Sequence, residues 1–307
     1  MFTMAPTHTV SSESTRSLNI FGKPLSIFGV PVNRETIFAD HNGNYKSRIE
    51  KRQRKLIVKT TFIKFFLHHD ERIHCLTTGY SPVSVTEQLL TGIAFLFFKR
   101  AIFVFTEKRI LHVPTRFDRS NLGAVSQILY EDCAHIEMKG GNLLVKYKNG
   151  TQELFPYIAR RERKKIRALL ANIELKPKEA GRLKARVRLC PSCTNVLDPK
   201  IYACPSCKLP FRSAPQAVIR ALLIPGGGYF YSRHSFLGIV IGLLEIALLA
   251  KVLFDWIAFG QNIDVNLAML AALTGALVAL KAICAFHSRQ LIRFFIPTPN
   301  DFAMRKV

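Results

Sequence analysis

The residues with the most specific chemistry are four cysteines. Cys190 and Cys193, then Cys204 and Cys207, form two Cys-Pro-Ser-Cys turns separated by ten residues. A two-residue spacer lets both thiolates of a turn point at one ion while the turn's amides face the sulfurs. Four thiolates then complete the tetrahedral shell of Zn2+. Such a shell has no open position for water or substrate, so the expected cofactor is one structural zinc ion. Iron accepts the same ligand set, and the sequence leaves that alternative open. Lys208 and Arg212 lie near enough in sequence to offset the negative charge of a metal tetrathiolate. Val196, Leu197, Ile201 and Tyr202 are the main apolar residues of the segment, too few to fold it without a metal. Its loop TNVLDPKIYA lacks interleaved Arg and aromatic residues, which argues against base stacking. Cys75, Cys133 and Cys284 stand alone and read as small buried apolar residues.

Other chemistry is sparse. His68, His69, Asp70 and His74 sit in a polar run at a strand start and read as a solvated surface without a third partner. Gly226, Gly227 and Gly228 are not followed by the Lys-Ser/Thr of a phosphate loop. No nucleophile–base set or nucleotide fingerprint is found, and the expectation is a protein that is not an enzyme.

A second set of ionisable residues lies in apolar sequence. Residues 236–258 and 265–286 are each long enough to cross ~30 Å of hydrocarbon as a helix. Glu245, Lys251, Asp255 and Lys281 fall inside them, where an isolated charge is costly and a partner is expected. Lys251 and Asp255 are four apart on one helix and can pair. If the connection turns near Asn262, Glu245 and Lys281 come to similar depth, so a contact across the hairpin is expected. A proton or ion path is the functional alternative to a structural pair. Gly275 with Ala272, Ala276 and Ala279 permits close helix packing. The connection FGQNID carries no Lys or Arg, whereas Arg220, Arg233, Arg289 and Arg293 flank the other ends. That asymmetry puts both ends of the hairpin in the cytoplasm of a multi-pass inner-membrane protein. Before the first span, residues 217–231 are apolar but too short to cross, and Pro225 with Gly226–Gly228 breaks them. They read as an interfacial helix and turn, with Tyr229, Phe230 and Tyr231 in the head-group layer.

These elements need a scaffold. The chain has 307 residues and a formal net charge of +23, with its basic residues concentrated in the first two thirds. Such an excess points to anionic partners such as phospholipid head groups, nucleic acid or acidic protein, and in part to membrane orientation. Residues 1–45 read as a disordered or irregular leader with no apolar signal run at its start, so the soluble part is expected in the cytoplasm without disulfides. Residues 46–69 form a basic amphipathic segment, suited either to a membrane surface or to packing by its apolar edge. Residues 70–175 read as β-structure closed by a helix over 158–174. FVFTEKRILHV and LLVKYKNGTQELF are hairpins, the second turning at Asn149-Gly150. The run 89–105 is split by Lys99-Arg100 and reads as two buried strands rather than a membrane span. A basic linker (176–189), the cysteine module (190–212), the membrane module (213–296) and a tail (297–307) complete the chain.

Strands followed by a closing helix, with the FTEKRILHV hairpin and the YKNG turn, resemble bacterial pleckstrin-homology-like (PH-like or GRAM-like) domains. That resemblance implies a partly open barrel capped by a helix, and a role in binding phosphoinositides or proteins. The CPSC pair resembles short zinc ribbons. IPGGGYFYSRHSFLGIVIGLLE resembles the opening of TM2-like two-span modules through Pro225, Gly226, Gly228, Tyr231 and Gly238, although their HRFY-type core is absent. The expected fold class is therefore multi-domain: an α+β PH-like open barrel, a zinc ribbon and a transmembrane hairpin. The expected function is a membrane-anchored scaffold recruiting a protein or anionic lipid. The alternatives are a transport or envelope-assembly component acting through a homo-oligomeric hairpin, and a membrane-tethered nucleic-acid binder.

Overall fold

The computed structural model describes residues 26–84, 98–173, 184–199, 201–261 and 266–298, together with Glu87, Leu89, Gly92 and Leu175. It is a mixed α+β protein with two long apolar helices at its C-terminal end.

The apolar runs become an antiparallel meander of β3 (Ile73–Tyr80), β4 (Arg100–Thr106), β5 (Arg109–Pro114) and β6 (Val125–Leu129). β4 and β5 close tightly around Glu107-Lys108, with Phe105 opposite Ile110. A second sheet follows, β7 (Cys133–Lys139), β8 (Asn142–Tyr147) and β9 (Gln152–Phe155). Its second turn uses Asn149-Gly150. Gly150 takes φ +81°, and the Asn149 side chain accepts from the Thr151 amide and hydroxyl.

Alternation along β4 explains why that strand reads as continuously apolar. Ile102 and Val104 face one cluster; Ala101, Phe103 and Phe105 face another, made with the second sheet and Ile166 of α3 (Arg163–Ala171). With both faces covered, neither set can be polar. The first cluster is supplied by the N-terminal segment, where the leader expected over residues 1–45 departs from expectation in its described part. β1 (Ser26–Ile27), β2 (Val30–Pro31) and α1 (Arg34–Ile37) bury Ile27, Val30, Val32, Ile37 and Phe38 against the sheet. Asn33 caps α1 by accepting from the Glu35 and Thr36 amides. The basic segment becomes α2 (Ser47–Lys59), packed by Leu56 and Ile57 with Lys51, Arg54 and Lys55 exposed. Buried Gln53 serves the edge strand: its amide donates to Leu76 O and accepts from Leu76 N, both at 2.9 Å.

The run 89–105 also differs. Its second half is β4, but Glu87, Leu89 and Phe98 are helical, so Lys99-Arg100 is not a strand-to-strand turn. Residues 88, 90, 91 and 93–97 lie outside the described residues. Lys99 is buried and pairs with buried Glu87 at 3.0 Å.

One buried ion pair fastens the meander. Glu71 accepts from Arg109 Nε (2.9 Å), Arg109 Nη2 (2.6 Å) and Thr106 Oγ1 (2.6 Å), while Arg109 also donates to Phe66 O (2.6 Å) and Gln127. Burial pushes the Glu71 carboxyl up, but the bonds from Arg109 and Thr106 outweigh it and hold the group below its ordinary value. A depressed carboxyl adds stability above its unfolded pKa, near ~4.3, and that stability is lost as pH falls through the folded value. Glu71→Ala strands a buried guanidinium and should cost about 3–5 kcal/mol. The check is thermal unfolding of the detergent-solubilised chain between pH 3 and 7. Glu71→Gln should lower the melting temperature at pH 7 and flatten the acid limb.

The basic linker is partly strand. β10 (Val187–Leu189) pairs with β6, Val187 opposite Gln127 and Leu189 opposite Val125, and β11 (Val196–Leu197) adds to its far side. The larger sheet therefore runs β11-β10-β6-β5-β4-β3, and the described strands do not close into a barrel. Residues 176–183 lie outside the described residues.

The helical part comprises α4 (Ala214–Leu223), α5 (Gly227–Tyr231), α6 (Ser235–Gly260) and α7 (Leu267–Ile292). Both α6 and α7 are long and apolar enough to cross a membrane, and they leave large side chains such as Phe236, Leu243, Phe254 and Val278 exposed. They extend the expected spans, α7 by six residues at its C-terminal end. The connection at 262–265 lies outside the described residues.

Candidate metal centre and polar sites of the helix module

The four cysteine sulfurs all lie within 4.8 Å of one another. Cys190 and Cys207 sulfurs are 3.5 Å apart, as are those of Cys193 and Cys204. A tetrahedral tetrathiolate with metal–sulfur bonds of about 2.3 Å has sulfur–sulfur edges of about 3.8 Å, so the set fits one metal ion. Each turn is built alike. The Thr194 amide donates to Cys190 O and the Lys208 amide to Cys204 O, both at 2.9 Å. Thr194 and Lys208 take the left-handed conformation, φ +61° and +59°, which turns the chain beneath the four sulfurs. The Ser192 and Cys193 amides bond the Cys190 sulfur, and the Ser206 and Cys207 amides bond that of Cys204. At Cys204 burial pushes the thiol up, but these amides and the neighbouring sulfurs prevail and bring it to about 7. A thiol poised there gives up its proton readily to a metal.

The core of this module is larger than its own sequence supplies. Leu197, Leu209 and Phe211 pack with the sulfurs and with Phe295, which follows α7. The Arg212 amide donates to Ile296 O (2.9 Å), the Thr298 amide to Pro210 O (3.2 Å), and Phe211 bridges to Pro297. Val196 and Tyr202 are largely exposed, so two of the four expected core residues do not serve. Arg212 lies over the Tyr231 ring, 5.0 Å from its centroid, instead of at the sulfurs.

In the helix module, Lys281 Nζ stands 2.8 Å from Glu245 Oε2, and Glu245 is buried. Lys251 and Asp255 pair along α6 at 2.5 Å. The structure thus brings together both sets of charges that the sequence placed within reach. It adds two bonds that the sequence did not suggest. Glu245 Oε2 accepts from the Gly226 amide (3.0 Å), and Lys281 Nζ donates to Ala221 O (3.2 Å). The Pro225–Gly228 turn is therefore held at Glu245, ten residues into α6 and ~15 Å along it.

Glycine is required in that turn. Gly226 has φ +66°, and a Cβ there would overlap the Gly238 carbonyl; one on Gly228 would overlap the Ser288 hydroxyl. Gly242 touches Pro225 from the other side. The three aromatic residues expected at a head-group layer are not equally exposed. Tyr229 and Tyr231 are buried, Tyr229 bonding His287 (3.1 Å) and Tyr231 donating to Gln216 (2.6 Å), while Phe230 alone of the three stays exposed. Aromatic rings with bonded hydroxyls pack against α4 and α7 here, so the segment belongs to the helix interior.

The histidine run does not form a site. His68 and His69 are exposed, Asp70 pairs with Lys108 (2.7 Å), and His74 is held by Thr36 (2.9 Å) and Glu107 (3.2 Å). His112 is different: Ser81 and Ser126 hydroxyls lie 2.9 Å from its two ring nitrogens. It is fully buried, and burial holds the ring well below the ordinary histidine value, so it stays neutral and sealed from any substrate. Cys75, Cys133 and Cys284 are buried. No family model, curated protein or solved structure matches the chain.

Proposed function

We propose that this chain is a non-catalytic scaffold of the cytoplasmic membrane. In this reading α6 and α7 cross the bilayer as a hairpin with both ends inside. The β-domain is PH-like and recruits a protein or anionic lipid, and the cysteine centre holds Zn2+ as a rigid joint. The supporting observation is continuity. β10 is at once the fifth strand of the sheet and the lead into the first knuckle, and the second knuckle is bonded to the segment leaving α7. A tetrathiolate between them fixes the β-domain to the helix pair, which suits presentation of a surface at a set distance from lipid. A four-stranded meander, a three-stranded sheet and a closing helix support the PH-like assignment. α4, the Pro-Gly turn and α5 then form a re-entrant segment. Its turn at Gly226–Gly228 is buried against α6 and α7, which is what non-helical backbone at depth requires.

The buried Glu245–Lys281 pair favours a second reading, transport. Proteoliposomes of the full chain separate the two. As a scaffold, the protein leaves pH and potassium gradients as long-lived as in empty vesicles. A leak that disappears in the E245L/K281L variant would replace scaffold by transport.

A further inference from the structure

A cavity of about 550 Å3 lies where the cysteine module meets the end of α7, and four arginines line it: Arg188 from β10, Arg212 from the exit of the second knuckle, Arg289 from the last turn of α7 and Arg293 just beyond it. Among the described residues no carboxylate is part of the wall. Arg212 is more than nine-tenths buried, and its Nε has no hydrogen-bond partner among the described residues. A buried guanidinium normally has every N–H satisfied, so an orphaned one facing a basic cavity marks the place of an absent acceptor. Four like charges in one wall favour an anion between them. Arg188 stacks on Phe295 of the same wall (5.3 Å) and Arg212 on Tyr231 (5.0 Å), contacts that hold both side chains without neutralising them.

We propose that this cavity binds a phosphate ester, gripped by the four guanidinium groups. The chemistry follows from the donors: planar forks in numbers no single carboxylate could satisfy match a tetrahedral anion with several acceptor oxygens. The phosphate has two sources, an anionic phospholipid head group or a soluble phosphate compound. The lipid source rests on the reading above, that the end of α7 lies at the inner membrane surface. The site itself does not. It lies outside the PH-like domain, and its occupant would bridge the metal module, the sheet and α7.

The test uses the full chain in phosphatidylcholine nanodiscs with or without phosphatidylglycerol. Native mass spectrometry counts retained lipid, and pyrophosphate is titrated as a soluble competitor. Wild type should retain phosphatidylglycerol over phosphatidylcholine or bind pyrophosphate. Pyrophosphate that displaces nothing assigns the head group, and pyrophosphate bound equally in both nanodiscs assigns the soluble source. R289Q/R293Q, both exposed, should weaken the binding about 10-fold or more, while R289K/R293K recovers part of it. One metal per chain in each variant shows that the neighbouring knuckles remain folded. Unchanged binding in R289Q/R293Q, or no preference for either phosphate probe over phosphatidylcholine, overturns the proposal.

Discussion

Cys204→Ser, or removal of the metal by a chelator, should release both knuckles and with them the attachment of the sheet to the helix pair. Binding of a structural metal by small tetrathiolate modules is worth about 10–16 kcal/mol of apparent free energy, nearly all of it folding free energy. Here Leu197, Leu209, Phe211 and Phe295 supply some apolar support, so the local loss is smaller than that full amount. It still far exceeds what two short strands retain by themselves. β10 and β11 have three and two residues, and Phe211–Pro297 is an isolated bridge. Hydrogen exchange should therefore rise by orders of magnitude over residues 187–212 and 292–298. The β7–β8 hairpin, which packs away from the module, should exchange as before. Elemental analysis should give one metal per wild-type chain, with zinc separated from iron by the absence of colour. Unchanged exchange over 187–212 after metal loss would mean that the packing alone holds the joint.

The second large effect is expected at Glu245 and Lys281. Lys281→Leu leaves a carboxylate among apolar helices with the Gly226 amide and the Cys284 thiol as donors but no counter-charge. Glu245→Leu leaves an ammonium held by Ala221 O and removes the acceptor that ties down the Pro-Gly turn. Breaking a buried pair from one side costs about 3–5 kcal/mol, whereas replacing both partners by apolar residues is often close to neutral. E245L and K281L should each lower the melting temperature of the detergent-solubilised chain and its yield. The double variant should recover most of the loss, leaving a residual deficit from the freed Gly226 amide. Additive single effects would show that the two charges are not energetically coupled.

The parts legible in the sequence are those fixed by short-range rules. Two-residue spacers place the sulfurs, the LLVKYKNGTQELF run with Asn149-Gly150 places β8, its turn and β9, and hydropathy places α6 and α7. Glu245 and Lys281 were legible because helical rise and a short connection convert sequence position into depth. What escaped depends on partners far apart. Glu71 follows a solvated His68-His69-Asp70 run, and only Arg109, 38 residues on, turns it inward. Lys99 reads as a turn because its partner Glu87 lies twelve residues earlier, beyond any local rule. Residues 26–45 looked irregular because their apolar residues follow neither a 2 nor a 3.6 period, yet they fill the open face of the sheet. β10 is three residues in a basic run, and it is strand only because β6 offers a free edge. The buried position of Tyr229 and Tyr231 needs α4 and α7 beside them, which local composition does not reveal.

The proposed scaffold requires α6 and α7, both long and apolar enough to cross a membrane, to exchange water for lipid. Membranes from cells making the full chain can be washed with alkaline carbonate and sedimented. The chain should stay with the pellet until detergent is added. Recovery of a folded, metal-bearing monomer in the supernatant would contradict the reading.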